Sequence, residues 1–155
     1  MLVRPGTPDL IGAISLSPAK TTFSAGEPVQ IRVTITNRGT APSQAAWADL
    51  HINPSRVPNA PNTPWNNVCS LRPCFGLAWR VPALEPGASV ILTSSQGSYA
   101  VGYTNWQGWF ANGTTDLYVY VDSWNSLSPT GAVAESDETN NRAELRGLRV
   151  VGRNP

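Results

Sequence analysis

The sequence predicts an all-β chain, an immunoglobulin-like antiparallel β-sandwich of about seven strands with two long loop insertions. Three observations predict it. Apolar and polar residues alternate with a period of two in several short runs, the pattern of strands with one core face and one wet face. Pro and Gly, 14 and 13 of 155 residues, interrupt nearly every window that could be helical. Without helices to serve as crossovers, an all-parallel sheet is excluded. A closed barrel is the alternative arrangement of the same strands.

The first strand follows Pro8, with Leu10, Gly12, Ile14 and Leu16 alternating against Ile11, Ala13 and Ser15. In the second, Val29, Ile31, Val33 and Ile35 alternate with Gln30, Arg32 and Thr34. Asn37-Arg38-Gly39-Thr40 is then a turn, with Gly39 the residue free to take positive φ. Ala48, Leu50 and Ile52 mark a third strand, with Trp47, Asp49 and His51 on its other face. Leu77, Trp79 and Val81 mark a fourth, and their shared phase puts Trp79 in the core. Leu84-Glu85-Pro86-Gly87 has the Pro-then-Gly order of a type II turn. Val90 and Leu92 follow in a fifth strand, and Leu117, Val119 and Val121 alternate with Tyr118, Tyr120 and Asp122 in a sixth. The last strand, Arg142 to Val151, changes phase across Gly147, from Ala143 and Leu145 to Leu148 and Val150. A phase slip at glycine predicts a β-bulge.

Two stretches exceed ordinary connection lengths, 53–75 and 96–115. Long loops on a rigid sandwich are where function concentrates. The organisation expected is a linker over 1–7, one domain over 8–152 and a tail over 153–155. Met1 reads as an initiator ahead of a segment taken from a larger protein, whose other domains would be neighbours of this one.

Charged residues make up 14% of the chain and the formal net charge is +1. So few, scattered cations cannot form the concentrated basic surface that nucleic acid or an anionic membrane requires. No apolar run is long enough to embed the chain in a membrane as a helix, and the N-terminus lacks the apolar core of a signal peptide.

Pro8-Asp9-Leu10, the run Gly26-Glu27-Pro28-Val29 into Ile31-Arg32-Val33-Thr34-Ile35-Thr36-Asn37-Arg38-Gly39-Thr40-Ala41, Leu84-Glu85-Pro86-Gly87, Tyr118-Val119-Tyr120-Val121-Asp122 and Val133-Ala134-Glu135-Ser136-Asp137-Glu138-Thr139-Asn140-Asn141 occur in that order. Together they resemble the CARDB domain, the cell adhesion related domain found in bacteria. The resemblance spans most of the chain outside the two long loops. It implies an immunoglobulin-like module of secreted and surface proteins of bacteria and archaea. It also implies an adhesive or spacer role without catalytic residues, located extracellularly, at the cell surface or in the periplasm. Its partners would be a protein or a polysaccharide at that surface.

The stretch Glu135–Asn141 packs three carboxylates and two amides into seven residues. With Asp122 and Asn125 it offers the oxygen donors that Ca²⁺ takes, without the spacing of an EF-hand. Asp122, Asn125, Glu135 and Asp137 are the candidate calcium set. The same residue types also cap turns and steer a loop into a strand, and that structural role is the favoured one. No cofactor is required for folding, because the apolar rows suffice as a core. Cys69 and Cys74 enclose a short loop and would pair in an oxidising compartment, worth about 2 kcal/mol on the chain-entropy account.

The second insertion carries Tyr103, Trp106, Trp109 and Phe110 beside Asn105 and Gln107. Aromatic faces with neighbouring amides suit carbohydrate or protein contact. The competing reading, which is favoured, folds these rings back as the loop's own small core. A further expectation is that one of the long loops covers Trp47. His51 has no nucleophile elbow or positioned serine to work with, so the chain is not read as an enzyme.

Overall fold

The computed structural model describes residues 6–58, 65–67, 75–122 and 141–155. These form eight strands: β1 (Leu10–Ser17), β2 (Thr22–Ser24), β3 (Gln30–Asn37), β4 (Ala46–Ile52), β5 (Gly76–Val81), β6 (Ser89–Thr93), β7 (Gly113–Val121) and β8 (Arg142–Val151). They lie in two sheets, one ordered β1-β3-β6 and the other β2-β8-β7-β4-β5. The architecture is a β-sandwich, as the alternation predicts. Its helical content, among the described residues, is two single 3₁₀ turns at Trp65–Asn67 and Val101–Tyr103, one in each insertion.

The core lies between the sheets. Ile31, Val33 and Ile35 of β3 face Ala48 and Leu50 of β4, Leu77, Trp79 and Val81 of β5, and Leu117, Val119 and Val121 of β7. Trp79 is fully buried, and its indole N–H reaches across to the Thr93 carbonyl at 2.9 Å, so the largest core ring leaves no polar atom unpaired.

Two details depart from the sequence expectation. β2 is an additional strand, and it pairs with β8 in parallel, Phe23 opposite Val150. Three residues with a single core side chain give no periodicity to read. Gly39 does not adopt positive φ. It is needed for another reason: a Cβ there would collide with the Thr7 carbonyl and the Asp9 amide, where the chain entering β1 crosses the turn. The side chain of Asn37, completely buried, organises that crossing. It accepts from the amides of Asp9 (3.1 Å) and Gly39 (3.0 Å) and donates to the carbonyls of Ala41 (2.8 Å) and Leu84 (3.0 Å).

The other two turns are as read. Gly87 has φ of 81° in the tight turn before β6. In β8, Gly147 has φ of 73°, and the register shifts there, Thr115 facing Leu148 and Leu117 facing Leu145. The Gly147 amide donates to the Asp116 carboxylate at 2.7 Å, which closes the bulge. Leu148 and Val150 are buried beyond it, so the bulge keeps both halves of β8 facing the core.

Candidate functional site

The outer face of the five-stranded sheet departs most from an ordinary sandwich. Trp47, Asp49 and His51 point there from β4, and Tyr118 and Tyr120 from β7. Such a face is usually wet, yet Asp49, His51, Tyr118 and Tyr120 are all buried. Register aligns them in rows: Asp49 lies between Ala78 and Tyr120, and His51 between Gly76 and Tyr118. Arg142 and Glu144 of β8 extend these rows.

The insertions provide part of this cover. In the first, Trp65 is buried, its amide donating to Asp49 Oδ2 at 3.0 Å and its indole N–H to the Tyr103 carbonyl at 2.8 Å. Arg142 Nη1 donates to the Pro58 carbonyl at 3.2 Å. The second insertion runs along the outer edge of β5. Gly76 and Asn105 exchange backbone bonds at 3.0 and 2.9 Å, the Ala100 amide donates to Ala78 O at 2.8 Å, and Thr104 Oγ1 accepts from the Ala78 amide at 3.0 Å. At Gly76 and Ala78 the edge that a bare sandwich would expose is therefore already paired.

His51 is the unusual group of this layer. It is 1% exposed, and among the described residues neither ring nitrogen has a hydrogen-bond partner. Burial pushes its pKa down to about 4, so it is neutral at neutral pH. A neutral imidazole so far from its titration range is not poised for general acid or base work there.

The four aromatic residues singled out in the second insertion part company. Phe110 is 2% exposed, set edge-on to Phe23 at 5.6 Å and contacting Trp106 at 5.6 Å. Trp106 packs on the same core. Trp109 is half-buried and bridges to Pro28, while Gly108 and Phe110 carbonyls accept from the amides of Val29 (2.9 Å) and Gly26 (3.3 Å). Tyr103 is different: it is 65% exposed, and its neighbour Val101 is 77% exposed.

Tyr103 also covers Trp47, ring edge to face at 5.5 Å, which meets the expectation that a long loop lies over that tryptophan. On β5, directly opposite Trp47 in register, Arg80 places its guanidinium 5.0 Å from the Trp47 ring centroid. No carboxylate among the described residues pairs with Arg80. Sequence reasoning passed over Arg80, since a lone arginine in a strand has no pattern. The readable signal was register, which sets Arg80 beside Trp47 once the two strands are paired.

Of the candidate calcium ligands, Asp122 ends β7, fully buried, at a left-handed φ of 63°. Asn125, Glu135 and Asp137 lie outside the described residues, as do Cys69 and Cys74. Among the described residues no group of three His, Cys, Asp or Glu could hold a metal ion. No helix among them is long and apolar enough to cross a membrane.

The family model of CARDB matches residues 7–145, most of the chain. No curated protein matches the sequence. Among solved structures, the fold is similar to the crystal structure of the CARDB domain of the PF1109 protein from Pyrococcus furiosus in complex with di-metal ions. That match has 20% identity and a TM-score of 0.58 over 94% of this chain and 90% of that one. The solution structure of the same Pyrococcus furiosus domain matches at 21% identity and a TM-score of 0.57, over 94% and 96% of the two chains. At that identity the likeness is one of fold.

Proposed function

The chain belongs to the CARDB family, a cell adhesion related bacterial domain, and from that premise we propose that it is a non-catalytic interaction or spacer module of a larger extracellular, surface or periplasmic protein. The observation that carries this reading is the exposure of Val101 and Tyr103. The backbone on either side of them is bonded into β5, so two apolar side chains stand outward on a fixed support. Ordering costs little on such a loop, because it is ordered before any partner arrives. A protein or a polysaccharide at the cell surface is the partner class that fits.

A carbohydrate-binding reading of the aromatic loop draws on the same exposure but on fewer residues than the sequence offered. Phe110 and Trp106 serve the core, which leaves Tyr103, with Trp109 partly accessible. The metal complex of the Pyrococcus furiosus domain is a property of that protein. For this chain calcium binding by Asp122, Asn125, Glu135 and Asp137 has support from residue chemistry alone, and the module needs no cofactor in this reading.

Adhesion of beads coated with the domain to panels of surface proteins and polysaccharides tests the proposal. The double substitution Val101→Asp, Tyr103→Ser should abolish adhesion while leaving the melting temperature unchanged. Adhesion that survives it would overturn the assignment to Val101 and Tyr103, and adhesion to none of the panels would overturn the interaction role and leave the spacer role.

A further inference from the structure

We infer that Tyr103, Trp47 and Arg80 form a subsite for a carboxylated sugar, a uronate residue of an acidic polysaccharide. The inference deepens the interaction-module reading and rests on it.

Each group is held in advance. Trp47 is fixed on β4 and half-buried. The Arg80 guanidinium lies over that ring at 5.0 Å, a cation–π contact, and the side chain is exposed to solvent. The Tyr103 backbone is pinned by its amide to Ala100 O (3.1 Å) and by its carbonyl to the Trp65 indole (2.8 Å). Tyrosine has only two side-chain torsions to order, so its exposed ring is an inexpensive contact.

The chemistry selects the occupant. An exposed aromatic ring accepts the C–H face of a pyranose, and an arginine without a carboxylate partner seeks a planar anion in bidentate geometry. Tyr103 and Arg80 both touch Trp47, at 5.5 and 5.0 Å, so a single short saccharide can engage them together. A neutral sugar would leave the guanidinium unused. A peptide adding itself as a strand to β5 finds the edge already bonded to residues 100–105 at Gly76 and Ala78. Nucleic acid would need a row of cations, where the site presents one.

The test is isothermal titration with oligosaccharides of polygalacturonate, alginate and hyaluronate, with EDTA present to exclude bridging by metal. Binding of at least one is expected, and its methyl-esterified form should bind at least about tenfold more weakly. Arg80→Ala and Tyr103→Ala should each weaken binding by about tenfold or more, and the distant Arg149→Ala by less than about twofold. Both site residues are exposed, and an unchanged melting temperature checks that the variants fold. Absence of binding to all three, equal affinity for the ester, or indifference to Arg80→Ala overturns the assignment. If the oligosaccharides fail while domain-coated beads still adhere through Val101 and Tyr103, only the uronate assignment falls. If both fail, the interaction-module reading falls with it.

Discussion

The Trp65 indole packs directly on the backbone of Gly76, where a side chain of any size would overlap the ring. One residue of the first insertion thereby rests on the first residue of β5, while its ring nitrogen holds the second insertion at Tyr103. Gly76→Ala should cost about 1–3 kcal/mol, because the ring can move only by giving up its hydrogen bonds. Trp65→Ala should cost about 3–5 kcal/mol. Denaturant unfolding measures both. Fluorescence quenching should report Trp47 becoming more accessible in each variant, as Tyr103 loses its anchor.

Asn37 bonds two amides and two carbonyls from three parts of the chain. Asn37→Ala strips the Asp9 and Gly39 amides and the Ala41 carbonyl of this partner, while the Leu84 carbonyl keeps the Ser43 amide at 2.9 Å, and a loss of about 2–3 kcal/mol is expected. Asn37→Asp should not rescue it, since a carboxylate cannot donate to Ala41 and Leu84. Chemical denaturation of the two variants decides the point, and an aspartate variant as stable as the parent would show that the donated bonds contribute nothing.

His51 should make the fold acid-sensitive. Its pKa is lowered in the folded state, from 6.5 to about 4, because burial disfavours the charged ring. The unfolded chain therefore binds more protons between those values, and stability falls as the pH falls. The contribution is complete above pH ~6.5 and is lost progressively as the pH drops towards ~4, a loss of about 3 kcal/mol in all. Melting curves from pH 7.5 to 4 should show this slope, and His51→Phe should flatten it. Phenylalanine also removes two ring nitrogens that lack partners among the described residues, so the variant should be at least as stable as the parent at pH 7.

Metal removal should leave the domain folded. EDTA is expected to leave the melting temperature unchanged, and millimolar Ca²⁺ to raise it by no more than the error, because the interleaved core of the two sheets does not draw on a cation. A reproducible rise with Ca²⁺ that Asp122→Asn abolishes would establish the cation site in place of the turn.

The alternation of Val29 to Ile35 and of Leu117 to Val121 made the core strands legible, because a half-buried strand writes its geometry into every second residue. The bulge at Gly147 was legible for the same reason, as a break in that rhythm. β2 was not, since Phe23 alone carries no period. Nor was the roofing of Asp49, His51, Tyr118 and Tyr120: alternation assigns a residue to a face but does not say whether a distant insertion lies on that face. Gly39 shows the limit of residue-type reasoning. A glycine in a turn predicts positive φ, whereas this one serves close approach. For the site, Tyr103 was legible as an aromatic in a long loop. Its separation from Trp106 and Phe110, and its meeting with Trp47 and Arg80, depend on which strand edge the loop follows.

The parallel pairing of β2 with β8 has a mechanical consequence. Thr22, Phe23 and Ser24 run beside Arg149, Val150 and Val151 in the same direction, with backbone bonds from Arg149 to Thr21 and from Ala25 to Val151 extending the ladder at its two ends. Tension between the chain entering β2 and the chain leaving β8 pulls the two strands at opposite ends. It loads their cross-links together in shear, where an antiparallel hairpin pulled at its open end would yield one bond after another. A short strand that contributes one side chain to the core is thus placed to act as a clasp against traction.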